Sequence, residues 1–251
     1  MRKAPESSDA RCPGVVLLHG IARGSSSLRK LEQAIRAAGF ATLNIDYASR
    51  TKQIGALADD IHPAIARFAE RDAPLHFVAH SMGGLVARAY LAKHRPDRLG
   101  GVVMLGTPNG GSEVADLLSG SRLYRAFYGP AGLELTTAPR PDSLPTVDYS
   151  VGVIAGNRFI DPVAGIFVLP KPNDGRVSVQ SAMLAGMADH IVVNASHTGL
   201  PRDGIAIAQT ITFLREGHFW PFTHESKWLG SRAFDVMSAM VLTATRKRTL
   251  P

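Results

Sequence analysis

The 251-residue chain predicts an α/β fold with a mostly parallel central sheet, helices on both faces and a short cap. Three observations predict it. Short β-rich runs alternate with longer stretches of helical periodicity. Those runs are continuously apolar, as strands covered on both faces must be, rather than alternately polar and apolar. One of them, ending at Ala79, passes straight into a serine-bearing turn and then into a helical pattern, the order strand–turn–helix.

The strands are predicted at Gly14–Leu18, Ala41–Ile45, Leu75–Ala79, Gly101–Leu105, Ser150–Ala155 and His190–Asn194. Helices fit between them at Leu28–Ala38, closed by Gly39, at Ile54–Arg71, at Met82–His94, stopped before Pro96, and at Asp203–Arg215. In the first helix Leu28, Leu31, Ala34, Ile35 and Ala38 recur at three- and four-residue steps, an apolar stripe for the sheet. Two regions break the alternation. Gly110–Thr146 is rich in Gly, Pro, Ser and Thr, with Leu117, Leu118, Leu123, Tyr124, Phe127 and Tyr128 at helical spacing. It reads as a cap of one or two short helices over the sheet. Residues 218–251 read as a C-terminal extension whose helix, Ser226–Arg246, packs on the domain or on a partner, with membrane-surface contact as the rival use. Residues 1–217 then form the main domain.

Composition narrows the function classes. Lys and Arg number 28 against 21 Asp and Glu, a net +7, but the basic residues are scattered, so no nucleic-acid partner is expected. The single cysteine, Cys12, excludes an intrachain disulfide and a thiolate metal cluster. The start of the chain lacks the apolar run of a secretion signal, and no later run is long enough to span a bilayer, which predicts a cytoplasmic protein. No acidic cluster reads as a calcium site, and no cofactor or metal is called for.

The chemistry concentrates at Ala79-His80-Ser81-Met82-Gly83. A serine at the tip of so sharp a turn needs small neighbours two positions before and after it, or their side chains collide. A serine hydroxyl also needs a base. Of the nine histidines, His197 lies just past the last predicted strand, at the sheet edge that carries Ser81, whereas His80 should point away from the hydroxyl. The base in turn needs a carboxylate to fix its tautomer. Asp142, Asp148, Asp161, Asp174 and Asp189 lie between Ser81 and His197; Asp174, in the turn-forming Pro172–Ser178 segment, is preferred and Asp161 is second. Two backbone amides must receive the oxyanion. Met82 at the helix start is one, and Ile21, after Leu18-His19-Gly20, is the other.

These residues resemble the α/β-hydrolase fold family, and within it bacterial lipases and carboxylesterases. The matching pieces are Leu18-His19-Gly20, Ala79–Gly84, Gly106–Ser112, Asn173–Val177 and His197, so the resemblance spans Gly14 to about Gly217. It implies Ser81, Asp174 and His197 as a catalytic triad, Ile21 and Met82 as oxyanion donors, and Gly110–Thr146 as a cap on the acyl chain. His19, Leu117, Leu118, Leu123 and Phe127 are expected to contact the substrate. The implied activity is hydrolysis of a small-molecule or lipid-like carboxylic ester through an acyl-enzyme. Thioesterase and acyltransferase chemistry use the same parts, and a non-catalytic binding protein is the rival from another class.

Overall fold

The apolar runs form strands β1 (Gly14–Leu18), β2 (Ala41–Ile45), β3 (Leu75–His80), β4 (Leu99–Leu105), β5 (Val151–Gly156) and β6 (Asp189–Val193). The structure is a computed structural model that describes residues 12–137, 144–159 and 169–221. Among these residues the strands make one sheet in the order β2-β1-β3-β4-β5-β6, with every pairing parallel. The longer helices are α1 (Arg29–Ala37), α2 (Ile54–Ala69), α3 (Met82–His94) and α7 (Gly204–Glu216). Between them lie α4 (Glu113–Leu118), α5 (Arg122–Leu133) and the four-residue α6 (Val179–Ala182).

Successive strand residues point to opposite faces, so each strand feeds two cores. Val16, Leu18, Phe77, Ala79, Val102 and Met104 pack with α2 and α3. Val15, Leu17, Val78, Val103 and Leu105 pack with α1 and α7. Fully burying such a side chain contributes about 1.5–3 kcal/mol of transfer free energy. The continuous apolar runs are thus the sequence trace of a sheet with no wet face in its middle. The outer strands β2 and β6 are only half-buried, as edges are.

Local chemistry sets the helix ends. The Asp203 carboxylate accepts hydrogen bonds from the amides of Ile205 and Ala206 at 2.9 Å and caps α7, and Gly217 ends it at φ 77°. Ser112 and Ser121 cap α4 and α5 in the same way. The strand β4 begins at Leu99, two residues before the predicted start. Its Gly100-Gly101 pair disguises the strand because the His76 ring fills the space a side chain would take, 2.4 Å from a Cβ at Gly100. His76 also accepts a hydrogen bond from the Gly101 amide at 2.9 Å. Among the described residues no helix is long and apolar enough to cross a membrane. The predicted helix Ser226–Arg246 lies outside the described residues.

Candidate active site

In a parallel sheet all strands end on one edge, and the loops after β1, β3, β5 and β6 meet there. The turn after β3 is the sharpest. Ser81 sits at φ 57°, ψ −130°, between the last residue of β3 and the first of α3. It and Ala22 are the non-glycine residues with positive φ among those described. Such a conformation costs of order 1–3 kcal/mol and persists only where the surroundings enforce it. Enforcement comes from the Ser81 amide donating to the Leu105 carbonyl at 2.8 Å and from the packing behind the turn. A Cβ on Gly83 would lie 2.4 Å from the Leu18 carbonyl oxygen, and one on Gly84 would lie 2.1 Å from Thr107 Oγ1. The two glycines therefore let α3 press against β1 and the β4 loop, and that pressure holds the serine up.

His197 arrives from the loop after β6. Its Nε2 lies 2.9 Å from Ser81 Oγ and its Nδ1 lies 2.8 Å from Asp174 Oδ2. An ionised carboxylate only accepts, so Nδ1 carries the proton and donates to Asp174, which leaves the Nε2 lone pair for the serine hydroxyl. A second bond, from the His197 amide to the Asp174 carbonyl at 2.9 Å, locks the two loops together. Asp174 Oδ1 accepts from the amides of Arg176 at 3.0 Å and Val177 at 2.8 Å. Burial works to raise the Asp174 pKa, but the charge and hydrogen bond of His197, with those two amides, outweigh it and hold the carboxyl below the usual carboxylate range. It stays ionised although buried.

The remaining candidate acids divide. Asp148 pairs with the exposed Arg95. Asp189 accepts from the Phe219 amide at 2.7 Å. Asp142 and Asp161 lie outside the described residues.

His80 turns away from the serine hydroxyl, and its Nε2 donates to the His197 carbonyl oxygen at 2.8 Å. Burial first, and then the neighbouring His197, push its pKa down to about 3, so it is neutral. It ties the elbow to the loop that carries His197, a bond no sequence pattern announces.

Two backbone amides flank Ser81 without a partner in regular structure, one following it in the chain and one on the loop after β1. Met82 is the first residue of α3, and the opening N–H groups of a helix have no partner within it. Ile21 lines the cleft, and its amide donates to nothing among the described residues. Gly20 brings that loop close, since a Cβ there would lie 3.0 Å from Ser81 Cβ.

A solvent-open cleft lies in front of Ser81 and His197. Its apolar wall is Leu118, Tyr124, Tyr128, Leu135 and Val177, and Arg23 and Arg176 also line it. Of the residues expected at the substrate, Leu118 is in the wall and four are not. Leu117, Leu123 and Phe127 are 61%, 81% and 51% exposed on the outer side of the cap. One residue along α5 turns a side chain by 100°, so Tyr124 and Tyr128 face inward while Leu123 and Phe127 face out. His19 is fully buried behind the loop, with Nδ1 2.9 Å from the Gly20 carbonyl oxygen, and does not line the cleft. Arg23, Leu135 and Arg176 are cleft residues that the sequence reading missed, and Tyr124 and Tyr128 were read as part of the cap but not as substrate contacts. Periodicity registers neither the kink in α5 at Gly129, φ 63°, nor the turn at Asp174.

The family model described as alpha/beta hydrolase fold matches residues 13–136. Among curated proteins no sequence matches the chain. Among solved structures, the mature form of the Bacillus licheniformis lipase BlEst2 superposes with a TM-score of 0.64 at 20% identity, over 84% of this chain and 94% of that one. Phospholipase PlaB from Legionella pneumophila gives 0.64 at 17% identity, over 93% of this chain and 65% of that one. The metagenomic carboxyl esterase MGS0156 gives 0.59 at 21% identity, over 79% and 68%. Likeness at such identities speaks for the fold alone, and the sheet order, the turn at Ser81 and the family model agree on which fold it is. The chain has the alpha/beta hydrolase fold.

Proposed function

We propose that this protein is a serine hydrolase that cleaves carboxylic esters, with Ser81 as nucleophile, His197 as base and Asp174 as its orienting acid. The observation that carries this reading is the unbroken hydrogen-bond chain from Asp174 through His197 to Ser81, at 2.8 and 2.9 Å. In the first half-reaction Ser81 Oγ bonds to the ester carbonyl carbon while its proton passes to His197 Nε2. The oxyanion receives the amides of Ile21 and Met82. Collapse breaks the bond to the leaving alkoxide, which takes the proton from Nε2 and departs as the alcohol. Water then adds to the acyl-enzyme with the same proton traffic, releasing the acid and restoring Ser81. Asp174 remains a carboxylate throughout and stabilises the imidazolium.

The fold places lipases, a phospholipase and a carboxyl esterase among the structural neighbours, which supports an ester or lipid-like substrate. A fluorophosphonate probe should label the purified protein on the peptide carrying Ser81. Ser81→Ala should abolish labelling and lower turnover of p-nitrophenyl esters by at least about 10⁴-fold, with the fold intact by circular dichroism. Retained activity in that variant would sink the assignment. Acyl-CoA and glyceride panels separate thioesterase and acyltransferase use from ester hydrolysis.

A further inference from the structure

We infer that Tyr47 and Ser49, in the loop after β2, are positioning residues that hold the Ile21 amide in place to receive the oxyanion; the inference rests on the serine-hydrolase reading above. Residues 46–50 touch the loop 19–25 at three points that bracket Ile21. On its amino side the Tyr47 hydroxyl donates to the His19 carbonyl oxygen, and the two rings stack with centroids 4.1 Å apart at 10°. The Tyr47 amide also donates to His19 Nε2 at 3.4 Å, which leaves Nδ1–H to donate to the Gly20 carbonyl at 2.9 Å. On the carboxyl side the Ala22 amide donates to Ser49 Oγ at 3.1 Å. Farther on, Asp46 accepts from the Ser25 amide at 2.6 Å and from the Ser25 hydroxyl at 2.7 Å.

These bonds hold a backbone that would not stay put unaided. Ala22 has φ 55°, a conformation that disfavours any residue with a Cβ, and the amide that fixes it is the one Ser49 accepts. Ser49 is buried and Tyr47 is partly buried, so both bonds are shielded from water. The outcome is selective: carbonyls on one side of Ile21 and the amide on the other are engaged, while the Ile21 amide is left unclaimed. A donor is effective only when its direction is fixed before charge develops.

The same segment reaches the cap. The Arg50 carbonyl packs so tightly against Gly129 that a Cβ there would lie 1.6 Å away, and the Arg50 guanidinium donates to the Phe127 carbonyl at 3.3 Å. Residues 46–50 are therefore a strut between the oxyanion loop and the bend in α5.

The test uses Tyr47→Phe and Ser49→Ala in the full chain, with Lys52→Ala, which removes only an exposed pair with Asp60, as the control. Losing one oxyanion donor outright costs about 10²–10³-fold in kcat, so loosening it should cost roughly tenfold. The expected result is that fall in kcat for a short p-nitrophenyl ester, with KM held within about threefold. Affinity for a trifluoromethyl ketone, which forms the tetrahedral oxyanion, should fall by the same factor as kcat. A kcat unchanged within about twofold, or a loss carried by KM or by thermal midpoint alone, overturns the inference. If Ser49→Ala does not fold, Tyr47→Phe, which keeps the stacked ring, decides by the same criteria. A parent protein that neither turns over esters nor labels at Ser81 refutes the serine-hydrolase reading; an active parent with unaffected variants refutes the strut alone.

Discussion

Buried titratable residues near Ser81 fix how the protein responds to acid. His80 has its pKa pushed down from 6.5 to about 3 by burial, so the unfolded chain binds a proton between those values that the folded chain refuses. Stability contributed by neutral His80 is therefore intact above pH 6.5 and declines as pH falls toward 3. His19 and His76, also lowered by burial, act in the same direction. Asp174 is depressed as well; its contribution is present above its ordinary value of 3.8 and is lost as pH falls through the lower, folded pKa. Urea midpoints should fall first between pH 6.5 and 4, through the histidines, and further below pH 4. Replacing His80 by Gln should flatten the upper part of that profile. An identical slope in parent and variant would remove His80 from the account.

At the scale of elements, the sequence was most legible where burial is symmetrical. The strand β1 coincides with its predicted span because a run buried on both faces is apolar at every position; the half-buried β2, with Thr42 and Asn44 in it, coincides as well. The turn at Ser81 was legible because sterics leave few residue types for it, and the chain order of Ser81, Asp174 and His197 narrowed the rest. What escaped were features without a period: the four-residue α6, the 3-10 turn at Ser25–Leu28, and the contacts of Tyr47 and Ser49, which depend on a loop's path. The cap was legible as one or two short helices but not as to which face turned inward, because α5 carries bulky residues on adjacent faces. That choice is testable. Leu118→Trp should fill the cleft and lower kcat/KM for a C8 p-nitrophenyl ester by roughly tenfold relative to a C2 ester, whereas Leu123→Ser should leave both within about twofold. Equal sensitivity at the two positions would mean that the inner and outer faces of the cap have been misassigned.

The molecule as a whole carries a net +7, and its cleft repeats that sign. Arg23 and Arg176 line it and no aspartate or glutamate does, among the described residues. They stand on the loops after β1 and β5; in the sheet order β1 is next to β3, and β5 lies beyond β4 on its other side. A substrate bearing a carboxylate or phosphate should approach faster than a neutral one of the same length, and the advantage should shrink with salt as the screening length falls from about 30 Å at 0.01 M to about 3 Å at 1 M. The ratio of kcat/KM for a p-nitrophenyl half-ester of a dicarboxylic acid to that for its uncharged counterpart should decline several-fold over that range. A ratio indifferent to salt would mean the guanidinium groups play no part in capture. The hydroxyl and its imidazole lie 116 positions apart along the chain. During translation the first is therefore made long before the second, and under the proposed mechanism a polypeptide ending short of residue 197 would lack the base for its serine. Reactivity at Ser81 would then report that the loop carrying His197 has docked.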